Sequence, residues 1–395
     1  MSWITPQYGT GRIDAAGKLL AGRIQPTERL CQEEALNITA NWRASHAYPL
    51  RVMCATLRSR AKRIDEEALI VQRLKRMPSI ASKLRRFDRM QLSQMQDLGG
   101  CRAVMSSCKE VYELVSLYES IPTEVASLCR KTDYISAPKE SGYRGVHLVY
   151  EYNTQNEQKS CYNGQRIEIQ IRSQLQHSWA TAVETVDAFT NQSLKSGLGD
   201  KSWERFFALM SSGIVAVESV QSNNLSPLPW EEGARFPFIP NTPSDPRVFF
   251  DELTSLNHEL RVVDTLQHLV VSVESISWAD NRSITSDAKY FILTMELGTE
   301  NTQVLAFYDS VEASDYYLQL EKEHLDNSAI QHVLVAADSV TVLRRAFPNY
   351  FNDAALFIGA VQSMIRSWEE FQSNFAPLGH QTWLPHGKQR NEWQT

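Results

Sequence analysis

Apolar residues recur at helical spacing through 28–43 and 48–57, with Pro49 at the break, so the chain opens with helices to about residue 59. The Arg- and Lys-rich stretch 62–92 continues in that style across Pro78. The period then shortens. Segments 101–105, 146–152 and 167–171 read as strands, with a helix over 109–120 between the first two. A helix follows at 173–189, where Trp179, Ala180, Val183 and Val186 make an inward stripe, and another at 202–220. Six prolines (227, 229, 237, 240, 243, 246) then fall within 222–246, which forbids a regular element there and marks a linker. Beyond it the pattern predicts a helix over 247–269, strands at 270–277, 290–297 and 303–309, a helix at 313–324, a strand at 331–336 and mostly helix to about 371. The expected layout is a helical segment 1–54, an α/β (α+β) unit 55–221, the linker 222–246, a second mixed α/β domain 247–375 and a polar tail 376–395.

Size and composition narrow the class. The chain of 395 residues is long enough for two domains with ample core, and 43% hydrophobic with 22% charged residues is ordinary for a soluble globular protein. No run approaches the roughly 18 apolar residues of a membrane span, and the first residues lack a basic stretch followed by an apolar one. Six scattered cysteines without Cys-x-x-Cys spacing read as reduced thiols, so the expected compartment is the cytoplasm, with no membrane partner. The net charge of −6 hides an asymmetry. Residues 51–190 hold 21 Lys/Arg against 16 Asp/Glu, leaving 19 against 30 for the rest of the chain. A positive island in an acidic protein is where an anionic ligand is expected.

The chemistry concentrates between 133 and 179. Lys139, Tyr143 between Gly142 and Arg144, His147, and Glu168 on an otherwise apolar strand stand within fifty residues. Cations meet phosphates, an aromatic face stacks a base, and a carboxylate holds a metal or takes a proton. Side-chain alternation puts Arg166, Glu168, Gln170 and Arg172 on one face of their strand and the isoleucines on the other; a solvated strand face explains the same pattern. Asp97, beside Gly99 and Gly100 at a strand mouth, suits Mg²⁺ as well as it suits a turn aspartate. The basic run Arg73, Lys75, Arg76, Lys83, Arg85, Arg86 and Arg89 is either a solvated helix face or a wall for a triphosphate or an RNA backbone. His147 and His177, each taken alone, are as well explained as structural histidines.

Taken together, these segments resemble a family. Arg-Leu-Lys-Arg-Met-Pro-Ser-Ile at 73–80 with Lys83, Gln-Asp-Leu-Gly-Gly-Cys-Arg at 96–102, Asp-Tyr-Ile-Ser-Ala-Pro-Lys at 133–139, Gly-Tyr-Arg-Gly-Val-His at 142–147 and Glu-Ile-Gln-Ile-Arg at 168–172 match, in order and spacing, the synthetase domain of the RelA/SpoT homologues. The resemblance covers about 55–190 and implies a mixed sheet flanked by helices. It implies transfer of pyrophosphate from ATP to the 3′-hydroxyl of GDP or GTP, giving (p)ppGpp-type alarmones. Asp97 and Glu168 would hold Mg²⁺, with Glu168 alternatively activating the attacking oxygen. Arg73 and Arg102 would sandwich adenine, and Lys75 and Lys83 would take the ATP phosphates. Tyr143 would stack guanine; Lys139, Arg144 and His147 would contact phosphates; Gln170, Arg172 and His177 would lie on the acceptor side.

Gly145 stands where many family members have serine, and His177 where some have an asparagine, so the acceptor is the open point. No His-Asp dipeptide occurs, so the hydrolase half of long family members is not expected. The alternative acceptor is the 3′ end of tRNA, as in toxic members of the family, under control of the C-terminal domain; a binding module without turnover is a third reading. The C-terminal 150 residues resemble none of the family's regulatory domains and are expected to sense a regulatory protein or ligand. A homo-oligomer is compatible with the sequence.

Overall fold

The computed structural model describes residues 3–190, 201–223, 239, 241–243, 245–263, 266, 289–296, 302–324, 327, 330–336 and 355–375. Three helices open it: α1 (Thr10–Leu20), α2 (Gln32–Ser45) and α3 (Ala47–Ile64). Pro49 lies in the first turn of α3, where its missing N–H is no loss, so the break falls at His46 instead. A strand, β1 (Leu69–Leu74), follows, where a helix was expected; Ile70 and Val71 suit a strand buried between two neighbours. Next come α4 (Met77–Arg86), with Pro78 in its first turn, β2 (Gly99–Met105) and α5 (Cys108–Ser120), which carries a Ser107–Glu110 capping box. The strand β3 (Ala126–Asp133) escaped the pattern because five successive residues face solvent on a sheet edge. β4 (Val146–Tyr152), β5 (Arg166–Ser173), α6 (Gln174–Thr190) and α7 (Lys201–Asn223) fall where expected.

Past the proline-rich stretch lie α8 (Pro246–Leu260), β6 (Tyr290–Glu296), β7 (Thr302–Phe307), α9 (Ser310–Glu323), β8 (Ile330–Ala336) and α10 (Ala355–Phe375). The strand expected at 270–277 and the tail 376–395 lie outside the described residues, as does most of 222–246. The fold class is mixed α/β, as read from the sequence. The described strands form a single eight-stranded sheet in the order β3-β4-β5-β2-β1-β8-β6-β7. The 247–375 stretch, expected as a separate unit, thus continues the first sheet: β8 pairs antiparallel with β1 through Gln72↔Ala336 and Arg73↔Val335. Only β2 and β5 run parallel.

Among the described residues four apolar clusters hold these layers, one of them Ile292, Ala313, Tyr317 and Leu334 between α9 and the C-terminal strands. On one sheet face Met53, Leu57, Leu114, Leu148 and the three β5 isoleucines pack beneath α3 and α5. A second cluster joins α6, α7, α8 and α10 through Phe206, Phe207, Phe249, Phe357 and Trp368. In the third, Ile13, Ile38, Ile80, Leu84 and Leu92 bind α1 and α2 to α4. No described helix is long and apolar enough to cross a membrane.

A buried acid ties α3 to the end of β2. Asp65, 7% exposed, accepts from the backbone N–H groups of Glu67 (2.9 Å) and Ser106 (2.8 Å) and from the Ser106 hydroxyl (2.9 Å). Asp65→Ala strands these donors, and urea unfolding is expected to show a loss of about 1–3 kcal/mol with an unchanged m-value. A variant as stable as the parent sinks this account of the junction.

Candidate active site

The sheet register gathers the polar residues. In neighbouring strands, residues opposite each other share a face. Val71 lies opposite Arg102, Gly100 beside Glu168, Arg102 beside Gln170, and His147 opposite Gln170. Arg73, Arg102, His147, Glu168, Gln170 and Arg172 therefore stand on one face, and the β5 isoleucines on the other. The alternation read from the sequence is there: Ile167, Ile169 and Ile171 are fully buried, while Arg166, Glu168 and Gln170 are half-buried.

Asp97 reaches this face from the turn before β2. A backbone bond from Lys75 N–H to the Leu98 carbonyl (2.8 Å) closes the turn onto the end of β1. Lys75 Nζ meets one Asp97 oxygen at 2.8 Å, and Lys83 Nζ, from α4, meets the other at 2.9 Å. Burial alone raises the Asp97 carboxyl, but the two lysines outweigh it and hold it at about 2. Burial also pulls the Lys75 ammonium below its ordinary value, against the attraction of Asp97.

Glu168 sits in a chain of hydrogen bonds. Burial pushes its carboxyl up, yet His147 and Gln170 more than compensate, leaving it below the ordinary glutamate value and ionised. One oxygen lies 2.9 Å from His147 Nδ1; the other accepts from Gln170 Nε2 at 2.8 Å. An ionised acid there keeps a proton on Nδ1, and Nε2 lies 2.6 Å from the Tyr143 hydroxyl. Burial raises the Tyr143 phenol, consistent with its donating. Gln170 Oε1 accepts from Arg172 (2.9 Å) and Arg102 Nε (3.4 Å). Burial, with Arg172 beside it, lowers the Arg102 guanidinium to about 9, still charged at neutral pH. The Asp97 and Glu168 carboxylates also act on each other, as groups on a shared face do.

Aromatic rings line the other end. Lys139 Nζ lies 4.5 Å from the Tyr134 ring centre and 4.8 Å from that of Tyr143; Arg172 approaches the Tyr143 ring at 5.4 Å. Tyr134 meets Tyr143 and His147 edge-on, at 5.8 Å and 5.2 Å between ring centres. Tyr134 was overlooked as a site residue, although the Asp-Tyr-Ile segment that carries it stood out. Glu184 on α6, acting on Arg102 and Tyr143, had no sequence signal.

Two expected members stand apart. Arg144, 2% exposed, points away from the cluster: its Nε donates to Ser211 Oγ and a terminal nitrogen to the Ile135 carbonyl, both at 2.9 Å. A guanidinium so enclosed does not meet a ligand phosphate here. His177, 5% exposed on α6, is a buried side chain rather than a lining one. Gly145 has φ of 143°, with the Ile171 carbonyl 3.4 Å from where a Cβ would sit, so a serine there would be strained.

Two carboxylates, several cations and aromatic rings thus share one face, an arrangement with the chemistry to bind an anion and manage protons. Residues 72–190 match the family model described as "Region found in RelA / SpoT proteins". The chain is 27% identical over 134 residues to the GTP pyrophosphokinase YwaC of Bacillus subtilis (33% of this chain, 62% of the relative). It is 32% identical over 118 residues to the GTP pyrophosphokinase YjbM of the same organism (28% and 52%). It thus spans less than two thirds of each relative. Among solved structures it is similar to the small alarmone synthetase 1 from Bacillus subtilis bound to its product pppGpp, at 21% identity and TM-score 0.39, covering 45% of this chain and 92% of the other. Small alarmone synthetase 2 from the same organism matches at 20% identity and TM-score 0.37 over 45% and 94%. The chain therefore carries a RelA/SpoT region and is homologous there to GTP pyrophosphokinases.

An unfolded aspartate titrates near 3.8 and Asp97 in the fold at about 2. A depressed carboxylate stabilises the fold fully above its unfolded value and loses that contribution as pH falls through the folded one. Asp97→Asn is expected to flatten the fall in urea-unfolding free energy between pH 4 and pH 2; an equally steep fall in both proteins contradicts the pairing.

Proposed function

We propose that the chain is an ATP-dependent pyrophosphokinase acting on the 3′-hydroxyl of GDP or GTP. The observation that carries this is the convergence of Asp97, Lys75, Lys83, Arg73 and Arg102 on one face, with Glu168, His147 and Tyr143 beside them on that face. In this reading the acceptor hydroxyl oxygen attacks the β-phosphorus of ATP. The bond from that phosphorus to the oxygen bridging the α- and β-phosphates breaks, and AMP leaves with the electron pair. Lys75 and Lys83 exchange Asp97 for phosphate oxygens, Arg73 and Arg102 flank adenine, and Tyr143 with Lys139 holds the acceptor. Such transfer relies on positioning and matched charge more than on covalent help.

Two ionised, part-exposed carboxylates suit a hard cation. Among the described residues no three acids, histidines or cysteines form a closed metal cage, which fits Mg²⁺, since it usually takes one or two carboxylates and completes its shell with water and phosphate. Asp97 and Glu168 would hold it, and it would neutralise phosphate charge. Glu168 alternatively takes the hydroxyl proton.

Labelled ATP with GDP/GTP or with deacylated tRNA decides the acceptor: label on guanosine nucleotides is expected, and label on tRNA alone replaces this reading with the alternative. Asp97→Ala and Glu168→Gln are each expected to lose at least ~10²-fold in rate with the fold kept; near-full activity in both removes the roles given them. Tyr143→Ala is expected to raise acceptor KM more than ATP KM.

The C-terminal part would restrain the donor side. Glu321 of α9, 5% exposed, accepts from Met77 N–H at the start of α4 (2.9 Å), and Arg43 lies 4.5 Å from the Tyr317 ring centre, while β8 pairs with β1 at Arg73. A carboxylate thus fills the helix N-terminus beside the donor lysines, a place that favours anions. Glu321→Ala in the full chain is expected to lower the ATP KM; a KM that does not fall overturns the restraint.

A further inference from the structure

We infer that Ser211, on α7 and outside the 72–190 region, is a positioning residue for the acceptor-side loop, acting together with Arg144. The inference rests on the reading above that the Tyr143 side takes the acceptor. The loop between β3 and β4 holds Tyr134, Lys139 and Tyr143, yet it has little regular structure of its own. Asp133 holds its start, accepting from Ile135 and Ser136 N–H (2.8 and 3.1 Å), and Tyr134 N–H reaches the Gly145 carbonyl (2.9 Å); toward Tyr143 its ties are Gly142 N–H to the Lys139 carbonyl (2.9 Å) and Lys139 N–H to the Tyr143 carbonyl (3.3 Å). From behind, one buried hydroxyl fastens it. Ser211 Oγ donates to the Gly142 carbonyl at 2.6 Å and accepts from Arg144 Nε at 2.9 Å, and Arg144 carries the link on to the Ile135 carbonyl at 2.9 Å. Both ends of 135–142 are thereby tied to a single turn of α7.

Close packing adds to the hold at the far end. Gly142 has φ of 93°, and a Cβ built on it would sit 2.8 Å from the Trp179 ring, 3.1 Å from Ser211 and 3.3 Å from Ile239. The backbone next to Tyr143 is wedged against α6 and α7, with Ser211 and Arg144 each 2% exposed. The Arg144 charge is met by Glu218, also on α7, which is itself held by Ser173 and Gln176. The donor-side residues lie on β1, β2, α4 and the turns between them, not on the loop or on α7. Loosening it therefore changes where Tyr143 and Lys139 stand and leaves Asp97, Lys75 and Lys83 in place.

The test uses the full chain with ATP and the acceptor that the product assay identifies. Ser211→Ala is expected to raise acceptor KM about tenfold, as small displacements of positioning groups do, with ATP KM within about twofold. Amide exchange is expected to accelerate over 135–143 and not over β1 or α4. Adding Ser211→Ala to Arg144→Gln is expected to raise acceptor KM little beyond Arg144→Gln alone, since Arg144 carries the Ser211 link on to the Ile135 carbonyl. An unchanged acceptor KM, equal rises in both KM values, or a multiplicative loss in the double variant (the mark of Arg144 on a ligand phosphate) overturns the inference. Should the parent protein turn over no acceptor at all, the functional reading falls. The loop link is then judged on exchange alone, and protection at 135–143 unchanged by Ser211→Ala refutes it.

Discussion

The parallel pairing of β2 with β5 is the constraint from which the site follows. Gly100 beside Glu168 and Arg102 beside Gln170 fix which residues share a face, and β4 and β1 are registered on those two strands. A shift of one residue would turn Glu168 into the core beneath α3 and α5 and expose an isoleucine in its place. Three fully buried β5 isoleucines make that shift prohibitive. The same apolar contacts that stabilise the sheet therefore aim the carboxylate, and stability and chemistry cannot be varied independently along this strand.

Charge compensation is the second organising feature. The cations of the cluster are not idle: Lys75 and Lys83 are held by Asp97, Arg102 and Arg172 by Gln170, and Lys139 by two aromatic rings. Each of these partners is weaker than a phosphate or can be replaced by one, so under the proposed function an anionic ligand would take over donors already pointed inward instead of ordering free side chains. In the proposed reaction the lysines would pass to phosphates, and a cation would take their place in keeping Asp97 ionised.

Much of this was legible beforehand, and the misses have physical causes. The β5 alternation and the 142–147 turn declare themselves through period-two spacing and glycine, both local properties. β1 was hidden because Leu-Ile-Val-Gln-Arg-Leu does not alternate, with Ile70 and Val71 both buried and Gln72 and Arg73 both half-buried. β3 was hidden as a solvated edge. Arg144 was misplaced because proximity in sequence to Tyr143 says nothing about which side of a loop a side chain takes; its partner, Ser211, lies 67 residues away. Continuity of the sheet into the C-terminal strands is likewise a long-range pairing, two residues wide at β1, that no local pattern encodes.

The helix α4 lies inside the 72–190 region and is fastened from outside it. Lys83 can reach Asp97 only if α4 keeps its place, and both ends of that helix are held from outside residues 72–190. At the C-terminal end, Arg23, from the segment after α1, donates to the carbonyls of Leu84, Phe87 and Met90. At the N-terminal end, Glu321 receives the Met77 N–H. A cation at the negative end and an acid at the positive end both act in the sense the helix dipole favours, so each fastening strengthens the same alignment. Asp14 of α1 adds a second brace, accepting from the Ser93 backbone and hydroxyl in the turn that leads to Asp97. The Arg23 fastening joins elements of one apolar cluster. The Glu321 fastening depends on a two-residue strand pairing and a buried carboxyl that burial raises toward its neutral form. Of the two fastenings that keep Lys83 on Asp97, the Glu321 one is therefore the one that a change in the β6–β8 part would release, freeing the lysine for a phosphate in the proposed reaction.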